Sequence, residues 1–139
     1  ELLIFRKELE FLGVEMLVIT DDGSSGEKGF VTDVLKKLID SGKKIDIVYA
    51  VGPGVMMEAV SNLTKPYGIK TLVSLNTVLV DGTGMCGSCR IQVGDETKFV
   101  CVDGPEFDGH LVNFKELKAR QSLFKDQETH ACKIRGVPV

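Results

Sequence analysis

Apolar positions along this chain recur at helical spacing, then at strand spacing, in turn. In residues 2–12, Leu2, Phe5, Leu9 and Leu12 fall three and four apart, which predicts an amphipathic helix. Residues 14–20 (Val-Glu-Met-Leu-Val-Ile-Thr) form a short apolar run of the kind a buried parallel strand carries. Residues 21–29 are a loop of Asp, Gly and Ser. Helical spacing returns over 30–39, with Phe30, Val31, Val34, Leu35, Leu38 and Ile39 on one face, and Ser41-Gly42 supplies the stop. Residues 45–51 predict a second buried strand that ends in Gly52-Pro53-Gly54. A third helix follows over 55–63, carrying Met56, Met57, Ala59, Val60 and Leu63, and residues 69–80 are strand-like with partial alternation. Helix and strand thus alternate through residue 80, which predicts an α/β fold with helices covering a parallel sheet.

The pattern changes after Val80. Gly82, Gly84 and Gly87 interrupt the chain, and residues 90–93 and 97–102 then alternate around Gly94-Asp95, a hairpin signal. Residues 103–109 read as loop. A helix is expected over 113–124 with Phe114, Leu117 and Leu123 inward, and the polar tail from Lys125 is expected to be poorly ordered. The organisation predicted is an incomplete parallel-sheet domain over 1–80, a small β-hairpin lobe over 81–125 and a tail over 126–139. The chain starts without Met and already in helical character, so it is expected to be a piece of a longer protein.

Composition narrows the function classes. Seventeen basic against twenty acidic residues leave a net charge of −3, which argues against a nucleic-acid footprint. No apolar run approaches the roughly 20 residues that a membrane span needs. No secretory signal opens the chain, so the expected compartment is a reducing cytoplasm.

Three of the four cysteines fall in Asp81-Gly82-Thr83-Gly84-Met85-Cys86-Gly87-Ser88-Cys89 and, eleven residues on, Cys101. Plant-type [2Fe–2S] sites use C-x4-C-x2-C and a distant fourth Cys, and glycines let such a loop wrap a cluster with its N–H groups facing sulfur. Here the spacing is D-x4-C-x2-C-x11-C, with Asp81 in the place of the first thiolate. Carboxylate is a competent iron ligand, though harder than thiolate. The rival is zinc on Cys86, Cys89, Cys101 and either Asp81 or Cys132. Zinc knuckles usually pair two C-x2-C turns, whereas one is present here. The remaining alternative is three buried thiols with no metal.

Two further loops lie at strand ends, where open α/β sheets bind ligands. Thr20-Asp21-Asp22-Gly23-Ser24 could hold ribose hydroxyls, and its paired carboxylates would repel a 2′-phosphate, which leans toward NAD over NADP; an ordinary strand–helix turn is the alternative. Gly52-Pro53-Gly54 opens a helix whose free N–H groups could face a phosphate or a nicotinamide, while Met56 and Met57 fit a core role at least as well. His110 and His130 read as exposed. Cys132 reads as incidental, and Lys115, Lys118 and Arg120 as a solvated helix face. No residue reads as a general acid, base or nucleophile.

Taken together these stretches resemble the ferredoxin–NADP reductase-like electron-transfer subunits, which include those of dihydroorotate dehydrogenase, of NADH-dependent ferredoxin:NADP oxidoreductase (also called sulfide dehydrogenase) and the flavin subunit of cytoplasmic hydrogenases. Residues 20–33 resemble the family's ribose-contacting segment. Val51-Gly52-Pro53 with Met56-Met57 resembles its turn beside the nicotinamide, and Val102-Asp103-Gly104-Pro105-Glu106-Phe107 the stretch that follows its last cluster ligand. The resemblance implies a [2Fe–2S] cluster on Asp81, Cys86, Cys89 and Cys101, and NAD(P)H bordered by Thr20, Asp21, Asp22, Gly23, Ser24, Gly52, Pro53 and Met56. It also implies FAD on a barrel domain absent from these residues, and a catalytic partner subunit, with ferredoxin among the candidate partners. Asp81 stands where most dihydroorotate dehydrogenase subunits have Cys, which is closer to the ferredoxin:NADP oxidoreductase type. On this reading the chain passes electrons between NAD(P)H/FAD and its partner. A zinc-stabilised nucleotide-binding or assembly module without redox activity is the alternative.

Overall fold

The computed structural model describes residues 4–136. They divide into two compact units, one running to Lys44 and one beginning at Ile45.

The first unit contains α1 (Arg6–Phe11), β1 (Ile19–Thr20), β2 (Glu27–Lys28) and α2 (Val31–Asp40). Of the stripe expected over 2–12, Leu2 lies outside the described residues, and Phe5, Leu9 and Leu12 are exposed. The strand expected over 14–20 is confined to Ile19–Thr20. It pairs in parallel with Glu27–Lys28, inside a segment expected to be all loop. Gly26 makes this tight return feasible. Its φ is +71°, and a Cβ there would lie 2.0 Å from the Val18 carbonyl oxygen, so any larger residue would push the strands apart. α2 begins where the apolar spacing places it, with the Asp33 carboxylate accepting the Phe30 N–H at 2.8 Å. Val34, Leu35, Leu38 and Ile39 are half-buried, whereas Phe30 and Val31 are exposed.

The second unit opens with β3 (Ile47–Val51), α3 (Gly54–Thr64), a 3-10 turn over Lys65–Tyr67 and β4 (Lys70–Ser74). The parallel pairing of β3 with β4 runs from Ile47↔Lys70 to Val51↔Ser74, with α3 as the crossover. β5 (Arg90–Val93) and β6 (Glu96–Phe99) then form a hairpin around Gly94-Asp95, followed by α4 (Val100–Asp103), β7 (Glu106–Asp108), α5 (Phe114–Gln121) and α6 (Lys125–Arg135).

The predicted loop over 103–109 contains β7, which pairs antiparallel with β4 through Leu72↔Asp108, Val73↔Phe107 and Ser74↔Glu106, so this three-stranded sheet is mixed, in the order β3-β4-β7. A single apolar Phe107 between two acids is too little pattern to announce a strand. β4 stops at Ser74, not Val80, and β6 at Phe99, where the Asp103 carboxylate accepts the Phe99 N–H at 2.7 Å and starts α4. The polar tail forms α6, closed by Gly136 at φ +66°. Good helix formers such as Lys, Gln, Glu and Ala support it without a buried face. Leu123, expected inward, is exposed because α5 ends at Gln121.

His110, expected to be exposed, has a side chain only 19% accessible. Its Nε2 lies 3.0 Å from the Thr64 hydroxyl, which in turn lies 2.6 Å from the Thr71 hydroxyl, and both threonines are fully buried. The turn after β7 delivers it there. Gly109 donates its N–H to the Thr71 carbonyl at 2.8 Å and sits so close to Ser61 that a Cβ would be 2.4 Å from Oγ.

The core of this unit joins Met57 and Val60 of α3, Ala50, Val73 and Phe107 from the sheet, Leu75 just past β4, and Phe114 and Leu117 of α5. Residues 111–113 bind the hairpin: the Gly94 N–H donates to the Leu111 carbonyl at 2.8 Å, and the Asn113 N–H to the Gln92 carbonyl at 2.9 Å. Asn113 also caps α5, its Oδ1 accepting the Glu116 N–H at 3.0 Å. No helix among the described residues is long and apolar enough to cross a membrane.

Met57 is completely buried. Met57→Ala is expected to cost about 2–5 kcal/mol, the usual range for emptying such a site. Urea unfolding should show a lower midpoint at unchanged slope.

Candidate metal centre and nucleotide loops

The end of β4 sends the chain through residues 75–80 to Asp81. The glycine-rich loop then leads into β5, immediately preceded by Cys89, and α4 carries Cys101. The hairpin register pairs Arg90 with Phe99, and the Val100 N–H donates to the Cys89 carbonyl at 3.2 Å. The two cysteines therefore leave the open end of the hairpin side by side, with their sulfurs 3.3 Å apart. Cys89 is 1% accessible and Cys101 half-buried, while Asp81 and Cys86 are exposed.

Asp81 organises the other half of the loop. Its Oδ1 accepts the Thr83 N–H at 2.8 Å, and its Oδ2 the Cys86 N–H at 2.9 Å. The Thr83 N–H is the main reason its carboxyl is held below the ordinary range. The Cys86 sulfur lies 3.1 Å from the Ser88 hydroxyl and accepts the Ser88 N–H at 3.5 Å. Those bonds, the hydroxyl's first, lower its pKa, and the neighbouring Asp81 carboxylate opposes them. Cys101 shifts the other way. Its hydrogen bond with the Cys89 thiol, then burial, raise its pKa, against a Gly84 N–H that favours the thiolate.

Among the described residues no three His, Cys, Asp or Glu side chains converge as a single-ion site requires. The four candidate ligands stand as two neighbouring pairs, Asp81 with Cys86 and Cys89 with Cys101, and the Ser88 N–H already points at the Cys86 sulfur. Cys132 lies on α6, away from this loop in sequence, and is half-buried.

Three contributors escaped the sequence reading. Ser88 had a signal, its place between the two cysteines of the C-x-x-C. Gly84 had one only as part of a glycine run. Arg120 had none: placed among the solvated residues of α5, it is half-buried and donates from Nη2 to the Ser88 carbonyl at 2.6 Å. Lys115 and Lys118 are exposed as expected, and Lys118 pairs with Glu58 of α3. His130 is exposed too.

In the first unit, the Thr20 hydroxyl donates to the Ser25 carbonyl at 3.0 Å and accepts the Ser25 N–H at 3.3 Å. Asp22 accepts the Ser24 N–H at 2.9 Å, the main reason its pKa falls, and the Gly23 N–H closes the turn onto the Thr20 carbonyl at 3.2 Å. Asp21 is exposed. In the second unit, Pro53 stands at the N-terminus of α3. Gly52 has φ +155°, and the Met56 methyl lies 2.9 Å from where its Cβ would be. Met56 thus covers the turn, while Met57 belongs to the core.

Residues 76–113 match the family described as the iron–sulfur cluster binding domain of dihydroorotate dehydrogenase B. The chain is 52% identical over 132 residues to an uncharacterised protein of Clostridium beijerinckii encoded in the adh 3′ region, covering 94% of this chain and 45% of that protein. It is 48% identical over 114 residues to a Thermotoga maritima homologue of the dihydroorotate dehydrogenase B (NAD(+)) electron transfer subunit, covering 82% of this chain and 40% of the relative. A chain from the structure of an NADH-dependent reduced ferredoxin-NADP oxidoreductase, solved for insight into flavin-based electron bifurcation, matches with a TM-score of 0.80 and 44% identity, over 91% of this chain and 45% of that one. This chain therefore spans less than half the length of these relatives.

Gly84 and Gly82 separate clash from strain. Both have positive φ, but a Cβ at Gly84 would lie 2.7 Å from the Val102 Cγ2 and one at Gly82 would meet nothing. Gly84→Ala is expected to retain less iron and acid-labile sulfide per chain than Gly82→Ala, which carries only the roughly 1–2 kcal/mol cost of a left-handed non-glycine residue.

Proposed function

Since this chain belongs to the family of iron–sulfur electron-transfer subunits that includes the dihydroorotate dehydrogenase B and ferredoxin–NADP oxidoreductase types, we propose that it holds a [2Fe–2S] cluster on Asp81, Cys86, Cys89 and Cys101. What supports the proposal is the D-x4-C-x2-C-x11-C spacing inside the matched residues, with the Cys89 and Cys101 sulfurs 3.3 Å apart and the Ser88 N–H donating to the Cys86 sulfur. When bound, such a cluster supplies single-electron transfer. The chain's own residues hold it, keep Cys86 inclined to the thiolate through Ser88, and fix the loop through the hydrogen bond from Arg120 to Ser88.

In the same proposal each unit offers its own candidate dinucleotide-binding loop: Thr20, Asp21, Asp22, Gly23 and Ser24 in the first, and Gly52, Pro53 and Met56 in the second. The carboxylates of Asp21 and Asp22 repel a 2′-phosphate, which favours NAD. FAD is assigned to residues outside these 139, consistent with the chain's spanning less than half the length of its relatives. The electrons go to or come from a catalytic partner subunit in a reducing cytoplasm. Asp81 in the first ligand position favours the ferredoxin:NADP oxidoreductase type over a dihydroorotate role, with ferredoxin the candidate redox partner.

Anaerobically purified full-length protein is expected to be coloured, to carry iron and acid-labile sulfide in equal amounts and to give an EPR signal on reduction. Cys86→Ala, Cys89→Ala and Cys101→Ala each lose these, and Cys132→Ala keeps them. A colourless, zinc-loaded protein would sink the proposal. Removing both carboxylates, Asp21→Ala with Asp22→Ala, is expected to narrow the preference for NADH over NADPH by up to about fivefold, the scale of roughly 1 kcal/mol for exposed charges. Steady-state kcat/KM with each dinucleotide reads this out.

A further inference from the structure

We propose that Cys89 and Cys101 form an oxidative modification site: without a cluster they close an intrachain disulfide, in preference to the Cys86–Cys89 bridge that a Cys-x-x-Cys spacing suggests. Their sulfurs are 3.3 Å apart, and a bond of about 2.05 Å needs an approach of only about 1 Å. The hairpin holds the carriers of both thiols together through the Arg90↔Phe99 pair and the hydrogen bond from the Val100 N–H to the Cys89 carbonyl. Cys86 is directed elsewhere. Its sulfur contacts the Ser88 hydroxyl on the exposed side of the loop. The Arg120 bond to the Ser88 carbonyl holds the residue that separates Cys86 from Cys89 across Gly87.

The oxidant is a small-molecule disulfide, RSSR. Cys101, the more accessible of the pair, attacks one sulfur as the thiolate, forming a mixed disulfide and expelling RS⁻, which takes up the proton Cys101 gave up. Cys89 then attacks the Cys101 sulfur as the thiolate. The Cys89–Cys101 bond forms, the mixed disulfide breaks, and the second RS⁻ takes up the Cys89 proton. Two protein thiols are oxidised, one RSSR is reduced to two RSH, and excess RSH reverses the reaction. The pairing itself stands on the geometry of the hairpin. Its consequence, that two of four donors are withheld until the bridge is reduced, rests on the ligand assignment above.

The test uses full-length protein. Its visible absorption is recorded as purified; iron is removed with a chelator, oxidised glutathione is added, and free thiols are alkylated before tryptic digestion and mass spectrometry. Trypsin cuts after Arg90 and Lys98, so a Cys89–Cys101 bridge joins separate peptides, whereas Cys86 and Cys89 share one. The expected result is the joined pair, lighter by about 2 Da for the two hydrogens lost, with Cys86 and Cys132 alkylated. Cys86→Ser should keep the link, and Cys89→Ser or Cys101→Ser should lose it. A dominant Cys86–Cys89 bridge, a stable glutathione adduct on Cys101, or four alkylated thiols would overturn the proposal. The initial absorption judges the cluster separately: colourless protein that still yields the link refutes only the cluster, and coloured protein that yields another pairing refutes only this site.

Discussion

Between Ser74 and Glu106 the chain leaves the sheet, builds the cysteine loop and the hairpin, and returns to the strand it left; the antiparallel pairing of β7 with β4 closes that excursion. The loop needs this closure. It is rich in glycine, most of its side chains are exposed, and it has little core of its own to hold it. Three ladder pairs, the Leu75 N–H on the Pro105 carbonyl and the Gly109 N–H on the Thr71 carbonyl tie both ends of the excursion to one buried strand. His110, Thr64 and Thr71 add a polar lock under the same turn. Its groups satisfy one another where an unpaired one would be costly. With both ends pinned, the conformational freedom left to the loop is much reduced.

Within that frame, local hydrogen bonds divide the four proposed ligands by character. Asp81 and Cys86 face solvent and are bonded by N–H and O–H groups that favour their charged forms. Cys89 and Cys101 lie deeper and share a hydrogen bond that favours the protonated form of Cys101. The two halves have different supports. The outer one depends on turn geometry around glycine and on Ser88. The inner one depends on hairpin register. Arg120 links α5 to the loop, and α5 is anchored by Leu117 in the core, so packing remote from the sulfurs still bears on the position of Ser88.

Much of this was readable in the residues. Helical spacing located α2, α3 and α5, because each buries or half-buries apolar residues three or four apart. Gly94-Asp95 between alternating segments was enough for the hairpin. The D-x4-C-x2-C-x11-C spacing marked the stretch that lies within the matched iron–sulfur domain, because ligand loops depend on short-range geometry that sequence distance reports directly. The two-residue pairing of β1 with β2 and the single-Phe strand β7 carried too few positions to show a period. α6 went unrecognised because a helix without a buried face leaves only propensity as its signal.

What lay beyond the residues was which distant groups meet. Arg120 reaching Ser88, His110 sealed against Thr64, and the Cys89 sulfur beside Cys101 rather than Cys86 are all consequences of register and closure, made between positions far apart in the chain. The chemistry of the proposed ligands is a property of residue type and spacing, and so could be proposed from the sequence. Their partners are a property of where β7 returns. That follows from burying Phe107 on Val73, an energy no local pattern expresses.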